Sequence, residues 1–234
     1  MSAPTPEPAA PPPLEMYGAL RSVMHQADYG SKVTVGELLA KPGAHGVGAL
    51  EGLGGEITFL DGAAWLSRPD GDSVTTETLA PGAASDQGIA LLALQRVEGW
   101  EAREMATGTD LGGLGDVVRS AAADAGFALD QPIPFRVRGA LEGLSYHVID
   151  GSKLPPGPSS HDAHQSAGVR IEQSAVEGTL VGVWATGAAG VFTHMGSTTH
   201  VHVVIDEPRG SGHVDGVQVA AGATLELPVR DRRR

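Results

Sequence analysis

The apolar positions of this chain change their period as it is read from the N-terminus. Leu14, Tyr17, Leu20, Met24 and Ala27 recur near helical spacing, which predicts a first helix over Leu14–Ala27. Thr34-Val-Gly-Glu37 has the form of a capping box, opening a short helix through Leu39 that stops before Pro42. The glycine-dense stretch from Gly43 to Gly55 reads as a loop, and Glu56–Leu60 as a strand. Asp61-Gly62 is a hairpin signal that returns the chain through Ala64-Trp-Leu66. Strands are predicted at Val74–Leu79 and Ile89–Val97. Leu114, Val117, Val118 and Ala121 predict a helix over Asp110–Ala125, closed by Gly126.

Beyond residue 130 the pattern is more uniformly that of strands. Ile133–Arg138 and Leu144–Ile149 flank a glycine-bearing bend, and Gly151–Gly168 is a polar loop rich in Pro, Ser and His. Further strands are expected at Gly178–Ala185, Thr198–Asp206, His213–Ala220 and Thr224–Val229. The fold class expected is β-rich α/β. An N-terminal mixed sheet with helices would occupy 14–130, and a small C-terminal β-barrel 131–229.

Residues 1–13, with their repeated prolines, read as a disordered leader, and 230–234 as a solvated basic tail. The leader lacks the basic start and apolar core of a signal peptide, so a cytoplasmic location is expected. No apolar run approaches the ~20 residues of a membrane span. The formal net charge of −12 argues against nucleic-acid or anionic-membrane partners. With no cysteine in the chain, any metal must be held by nitrogen and oxygen ligands.

That restriction directs attention to the histidines. His200 and His202 sit one residue apart in an expected strand, so both imidazoles share a face while Val201, Val203 and Ile205 take the other. His213 follows a Gly-rich turn and completes the ligand count of an open catalytic zinc site. The spacing imposes a condition. A tight turn centred on 209–210 would pair Asp206 with His213 and leave His213 about 14 Å along the strand from His202, at roughly 3.4 Å per residue. The site therefore requires a wider loop over 204–212, which Gly210 and Gly212 permit. The alternative is a pair of strand histidines and an unrelated turn histidine.

Other positions carry weaker signals. Glu56 opens a strand directly after Gly54-Gly55, where its carboxylate can face a cavity or solvent. Arg136 and Arg138 alternate with Phe135 and Val137 and share one face, either solvated or paired with an anion such as a substrate carboxylate. His161 and His164 lie in the polar loop and read as surface residues, and His194 as a turn residue.

Taken in order, the short motifs resemble one family. They are Tyr17-Gly-Ala-Leu20, Thr34-Val-Gly-Glu-Leu38, Gly46-Val-Gly48, Gly54-Gly-Glu56, Leu60-Asp-Gly62, Phe135-Arg-Val-Arg-Gly139 and Glu177-Gly-Thr-Leu-Val-Gly182. With the His-x-His at 200 and 202 and Gly212-His213, they follow the order seen in acetolactate decarboxylases. The resemblance implies a dimer with a C-terminal barrel whose zinc is held by His200, His202 and His213. It implies Glu56 as acid/base, Arg136 as clamp for the substrate carboxylate or enediolate, and decarboxylation of 2-acetolactate, a small keto acid, to acetoin. Two departures stand out. Ala49 occupies a position where the family has threonine, and the family's second active-site glutamate finds no match, Glu226 lying on an earlier strand. A diverged enzyme of metal-assisted enolisation, or a non-catalytic metal-bearing binding protein, are the other functions the sequence allows.

Overall fold

The computed structural model describes residues 10–187 and 197–230. The expectations for the leader up to residue 9, for His194 and for the tail from residue 231 lie outside the described residues. The N-terminal part comprises β1 (Leu14–Tyr17), α1 (Leu20–Gln26), β2 (Val33–Thr34), α2 (Val35–Leu39), β3 (Ala44–Leu50), β4 (Glu56–Leu60), β5 (Ala63–Asp70), β6 (Ser73–Leu79) and β7 (Gly88–Arg96). Its strands form one antiparallel sheet in the order β1-β7-β3-β4-β5-β6, with β2 also on β7. The mixed sheet expected here is thus antiparallel in every pairing.

Several local signals act as the sequence implies. Thr34 Oγ1 accepts from the Glu37 N–H at 3.3 Å, and Glu37 Oε2 accepts from the Thr34 N–H at 2.8 Å, so α2 starts with two otherwise orphaned donors satisfied. Asp61 and Gly62, both at positive φ, make the two-residue turn between β4 and β5. Two expectations are corrected. Leu14–Tyr17 is a strand paired to β7 instead of the first turn of a helix, because Gly18 at positive φ breaks the segment and β7 offers hydrogen bonds. Ala44–Leu50 is a fully buried central strand instead of a loop. Its glycines mark a close approach: a Cβ at Gly46 or Gly48 would collide with the carbonyl oxygens of Ala93 or Leu91.

The second sheet holds β8 (Trp100–Glu104), β9 (Thr109–Asp110), β10 (Ile133–Val148), β11 (Val169–Trp184), β12 (Thr199–Ile205), β13 (Gly210–Val219) and β14 (Thr224–Pro228), in the order β8-β14-β10-β11-β12-β13-β9. All its pairings are antiparallel. Where a small barrel is expected, the sheet bends back far enough for β13 to pair with β10 as well as with β12. The helix α3 (Leu111–Ala125) and the short α4 (His161–Ala167) complete the elements used below. Asp110 caps α3 by accepting from the Gly113 N–H, and Gly126 ends it at positive φ. Its buried stripe, Leu114, Val118, Ala122 and Ala125, covers a core of Phe135, Val137, Leu144, Tyr146, Leu180, Val201 and Val203. The change of sheet falls between Arg96 and Trp100, ahead of the expected junction near residue 130, because β8, β9 and α3 all serve the second sheet.

The opposite face of that sheet packs on the N-terminal one. Val181 and Val204 meet Val47, Leu60 and Trp65 there, and the histidines point into the same layer.

Candidate metal centre between the sheets

Strand register brings the three histidines together. Ile205 pairs with Gly210, so the turn is Asp206–Arg209 and His202 stands directly opposite His213. Neither the tight turn at 209–210 nor the wide loop over 204–212 is formed. Gly210 and Gly212 lie inside β13, where a Cβ on Gly212 would press on the Tyr146 ring and the His147 carbonyl. The one nitrogen that each of His200, His202 and His213 offers lies within 4.8 Å of the others. His200 Nε2 and His213 Nδ1 are 3.1 Å apart.

His202 is wholly buried, and its two nitrogens have different fates. Nδ1 is 2.9 Å from Thr58 Oγ1, which in turn is 2.8 Å from Ser211 Oγ. Nε2 has no hydrogen-bond partner and lies 3.7 Å from Glu56 Oε2. Burial, reinforced by His200 and His147, holds the ring's pKa well below its ordinary value, so it is neutral at pH 7. With Nδ1–H donated to Thr58, the lone pair of Nε2 is turned into the cluster, the arrangement of a histidine ligand tied by an outer hydrogen bond. An orphaned, dry imidazole nitrogen facing two others fits a divalent transition metal held by nitrogen.

Glu56 opens β4 opposite Ala49 of β3 and reaches the same cluster. Burial pushes its carboxyl up to about 8, although the His147 charge and a hydrogen bond from the Ile149 N–H pull the other way. The carboxyl therefore keeps its proton to a higher pH than an ordinary glutamate.

The sequence reading passed over His147 and Asp215. His147 pairs in register with His213, and its ring centroid is 5.0 Å from that of His213. Its Nδ1 lies 2.9 Å from Asp215 Oδ1. Burial lowers the His147 pKa, but the hydrogen bond to Asp215 and the charges of Glu56 and Asp215 outweigh it, and the net shift is upward. Its presence here depends on a change of phase within β10. Ile133, Phe135, Val137 and Leu141 are the buried odd positions, whereas Leu144, Tyr146 and Val148 are the buried even ones. Gly143, at φ 53°, supplies the slip, and the pairing with β13 shifts register at the same place. The slip turns His147 toward the histidines. That change of phase in the apolar pattern is the signal by which the sequence could have revealed it.

Arg136 is not brought into this cluster. It lies in the same cross-strand row as Val181 and His202, but two strand spacings away, roughly 10 Å at about 4.8 Å each. Its guanidinium is occupied by Glu226 (2.5 and 3.1 Å) and by Asp61, and stacks on the Trp100 ring at 4.5 Å. Arg138 joins the same two carboxylates. The anion that an inward arginine requires is thus supplied by the protein itself. Of the loop histidines, His164 is half-buried and hydrogen-bonded to Ser159 Oγ at 2.7 Å rather than a bare surface residue.

A cavity of about 290 Å³ opens on the cluster. Glu56, His147, His200, His213 and Asp215 form its polar end, and Ala49, Leu53, Leu91 and Ile149 are among its apolar walls. Among the described residues no helix is long and apolar enough to cross a membrane.

The family described as alpha-acetolactate decarboxylase matches residues 16–232. An acetolactate decarboxylase from Bacillus subtilis subspecies spizizenii superposes with a TM-score of 0.73 at 16% identity, over 92% of this chain and 85% of that one. A protein of unknown function from Staphylococcus aureus, similar to alpha-acetolactate decarboxylase, gives 0.68 at 17% identity, over 92% and 84%. At such identities these likenesses concern the fold. No curated protein matches the sequence.

Proposed function

We propose that this chain, which belongs to the alpha-acetolactate decarboxylase family, is a zinc-dependent carboxy-lyase. Its substrate is a small 2-hydroxy-3-keto acid, by resemblance 2-acetolactate, and its products are acetoin and carbon dioxide. The observation that carries the reading is the orphaned Nε2 of His202, buried beside His200, His213 and the buried carboxyl of Glu56. His200, His202 and His213 would hold the ion. Bound there, zinc supplies Lewis-acid polarisation of the substrate's carbonyl.

The residues of the chain account for the remaining steps. The bond from C2 to the carboxylate breaks, its electron pair moves toward the neighbouring carbonyl to give an enediolate, and carbon dioxide leaves. Glu56 then delivers its proton to C2 and is reprotonated from solvent. Burial serves this role, since an ordinary glutamate would have lost its proton at neutral pH. His147, tethered through Nδ1 to Asp215, leaves Nε2 to hydrogen-bond the polar end of the substrate. The apolar walls keep water from the reacting carbon.

The reading includes a homodimer acting in the cytoplasm without nucleic-acid or membrane partners. Sedimentation of the purified protein tests the oligomer. The decisive experiment is acetoin formation from racemic acetolactate by zinc-loaded protein, with His202→Ala as the blank. Turnover lost in the variant supports the assignment. Equal turnover in both proteins, or none in the zinc-loaded protein, removes it.

A further inference from the structure

The cavity is larger and more apolar than a methyl-bearing keto acid requires. Its volume of about 290 Å³ corresponds to about ten waters at ~30 Å³ each. The polar groups of a 2-hydroxy-3-keto acid are consumed at one end, against Glu56, the histidines and the His147–Asp215 pair. The apolar walls include Leu20, Val23 and Met24 of α1, Leu53, Leu91 of β7 and Ile149, whose N–H donates to Glu56. Val23, Leu53, Leu91 and Ile149 belong to a single hydrophobic cluster and are each less than a tenth exposed. Ala49 continues this wall beside Glu56, where a hydroxyl-bearing residue would have given a polar partner. His164, Ser197 and Thr199 also reach the cavity, but the leucine, valine and methionine surface has no counterpart in acetolactate, which offers it only two methyl groups.

We infer that the preferred substrate bears an unbranched or branched alkyl group longer than methyl, seated against α1, Leu53, Leu91 and Ile149. This rests on the reading of the histidine cluster as the place where the polar head is held. Apolar surface removed from water is worth about fourfold in affinity per methylene. Affinity therefore climbs through the first few added carbons and stops when the cavity is full.

The test separates binding from chemistry. The probes are non-reacting 2-hydroxy-2-methylalkanoates of increasing chain length, titrated calorimetrically into zinc-loaded protein. In parallel, carbon dioxide release is measured for 2-hydroxy-3-keto acids in which either methyl of acetolactate is lengthened. The expected result is an affinity rising about fourfold per methylene over the first three or four carbons, with kcat/KM rising in the same order. Leu20→Trp, at a half-buried position of the wall, should lower the affinity of the longest acid at least tenfold while the thermal midpoint shows the protein folded. Affinity flat or falling with length, with acetolactate the best substrate, overturns the inference and leaves the decarboxylase reading standing. Rising affinity without turnover of any acid removes the decarboxylase reading and keeps the alkyl-binding wall.

Discussion

Glu56 and His202 face each other across the two sheets, 3.7 Å apart, as a neutral acid beside a neutral base. Their separation is that of an ion pair, yet burial raises the carboxyl to about 8 and holds the imidazole well below its usual range. A proton donor and a nitrogen lone pair therefore coexist in one dry site, the combination that metal-assisted protonation of carbon requires.

Separating the two roles is the first prediction. Glu56→Gln keeps the amide where the carboxyl stood and should retain one zinc per chain, while kcat falls by roughly 10²–10⁴. Metal content by atomic emission and acetoin formation report the two quantities independently. Loss of metal together with activity would make Glu56 a ligand instead.

Thr58 would act on a bound metal only through His202. Removing its hydroxyl in Thr58→Val leaves Nδ1 without its partner and frees the ring to change tautomer. Zinc affinity, measured against a chromophoric chelator, should weaken by roughly 10- to 100-fold. An unchanged affinity would mean that the Thr58 contact does not orient the ring.

Arg136 and Glu226 form a nearly buried pair whose side chains are 9% and 13% exposed. Glu226→Gln leaves the guanidinium short of charge and should cost about 3 kcal/mol in urea unfolding. Zinc affinity should stay within a factor of about two. A lost metal site with unaltered stability would show that this network belongs to the active centre after all.

His45 gives the fold an acid limit. Its Nε2–H donates to the Phe135 carbonyl at 3.1 Å across the sheet interface, and burial lowers its pKa to about 4 from 6.5. Because the folded value is the lower one, the associated stability is fully present above pH 6.5 and is lost as the pH falls through about 4. The drop amounts to about 3 kcal/mol. Urea midpoints measured between pH 7 and 4 should show a smaller decline in His45→Gln, and an equal decline would place the acid sensitivity elsewhere.

The shared face of His200 and His202, the start of α2, the β4–β5 turn and most strands were legible because each depends on local period or local turn chemistry: alternate positions at 200 and 202, a capping box at 34–37, an Asp-Gly turn at 61–62. What escaped depends on partners distant in sequence. Gly46 and Gly48 look like loop residues until β7 is laid against them, and Leu14–Tyr17 needs the same strand to become extended. Arg136 could be placed on a face but not paired, because Glu226 and Asp61 reach it from 90 and 75 residues away. His147 was passed over because the residues that give it a role, His213 and Asp215, reach it from β13, far along the chain.

Gly143 makes β10 a strand with two readings. Before it the odd positions are buried against α3 and its neighbours, and after it the even ones are. A strand that kept every residue but ran straight through the bend would exchange the inhabitants of the two faces, sending Tyr146 toward the metal cluster and His147 into the hydrocarbon core. The side on which that imidazole emerges is thus set by the backbone of a single residue that has no side chain of its own.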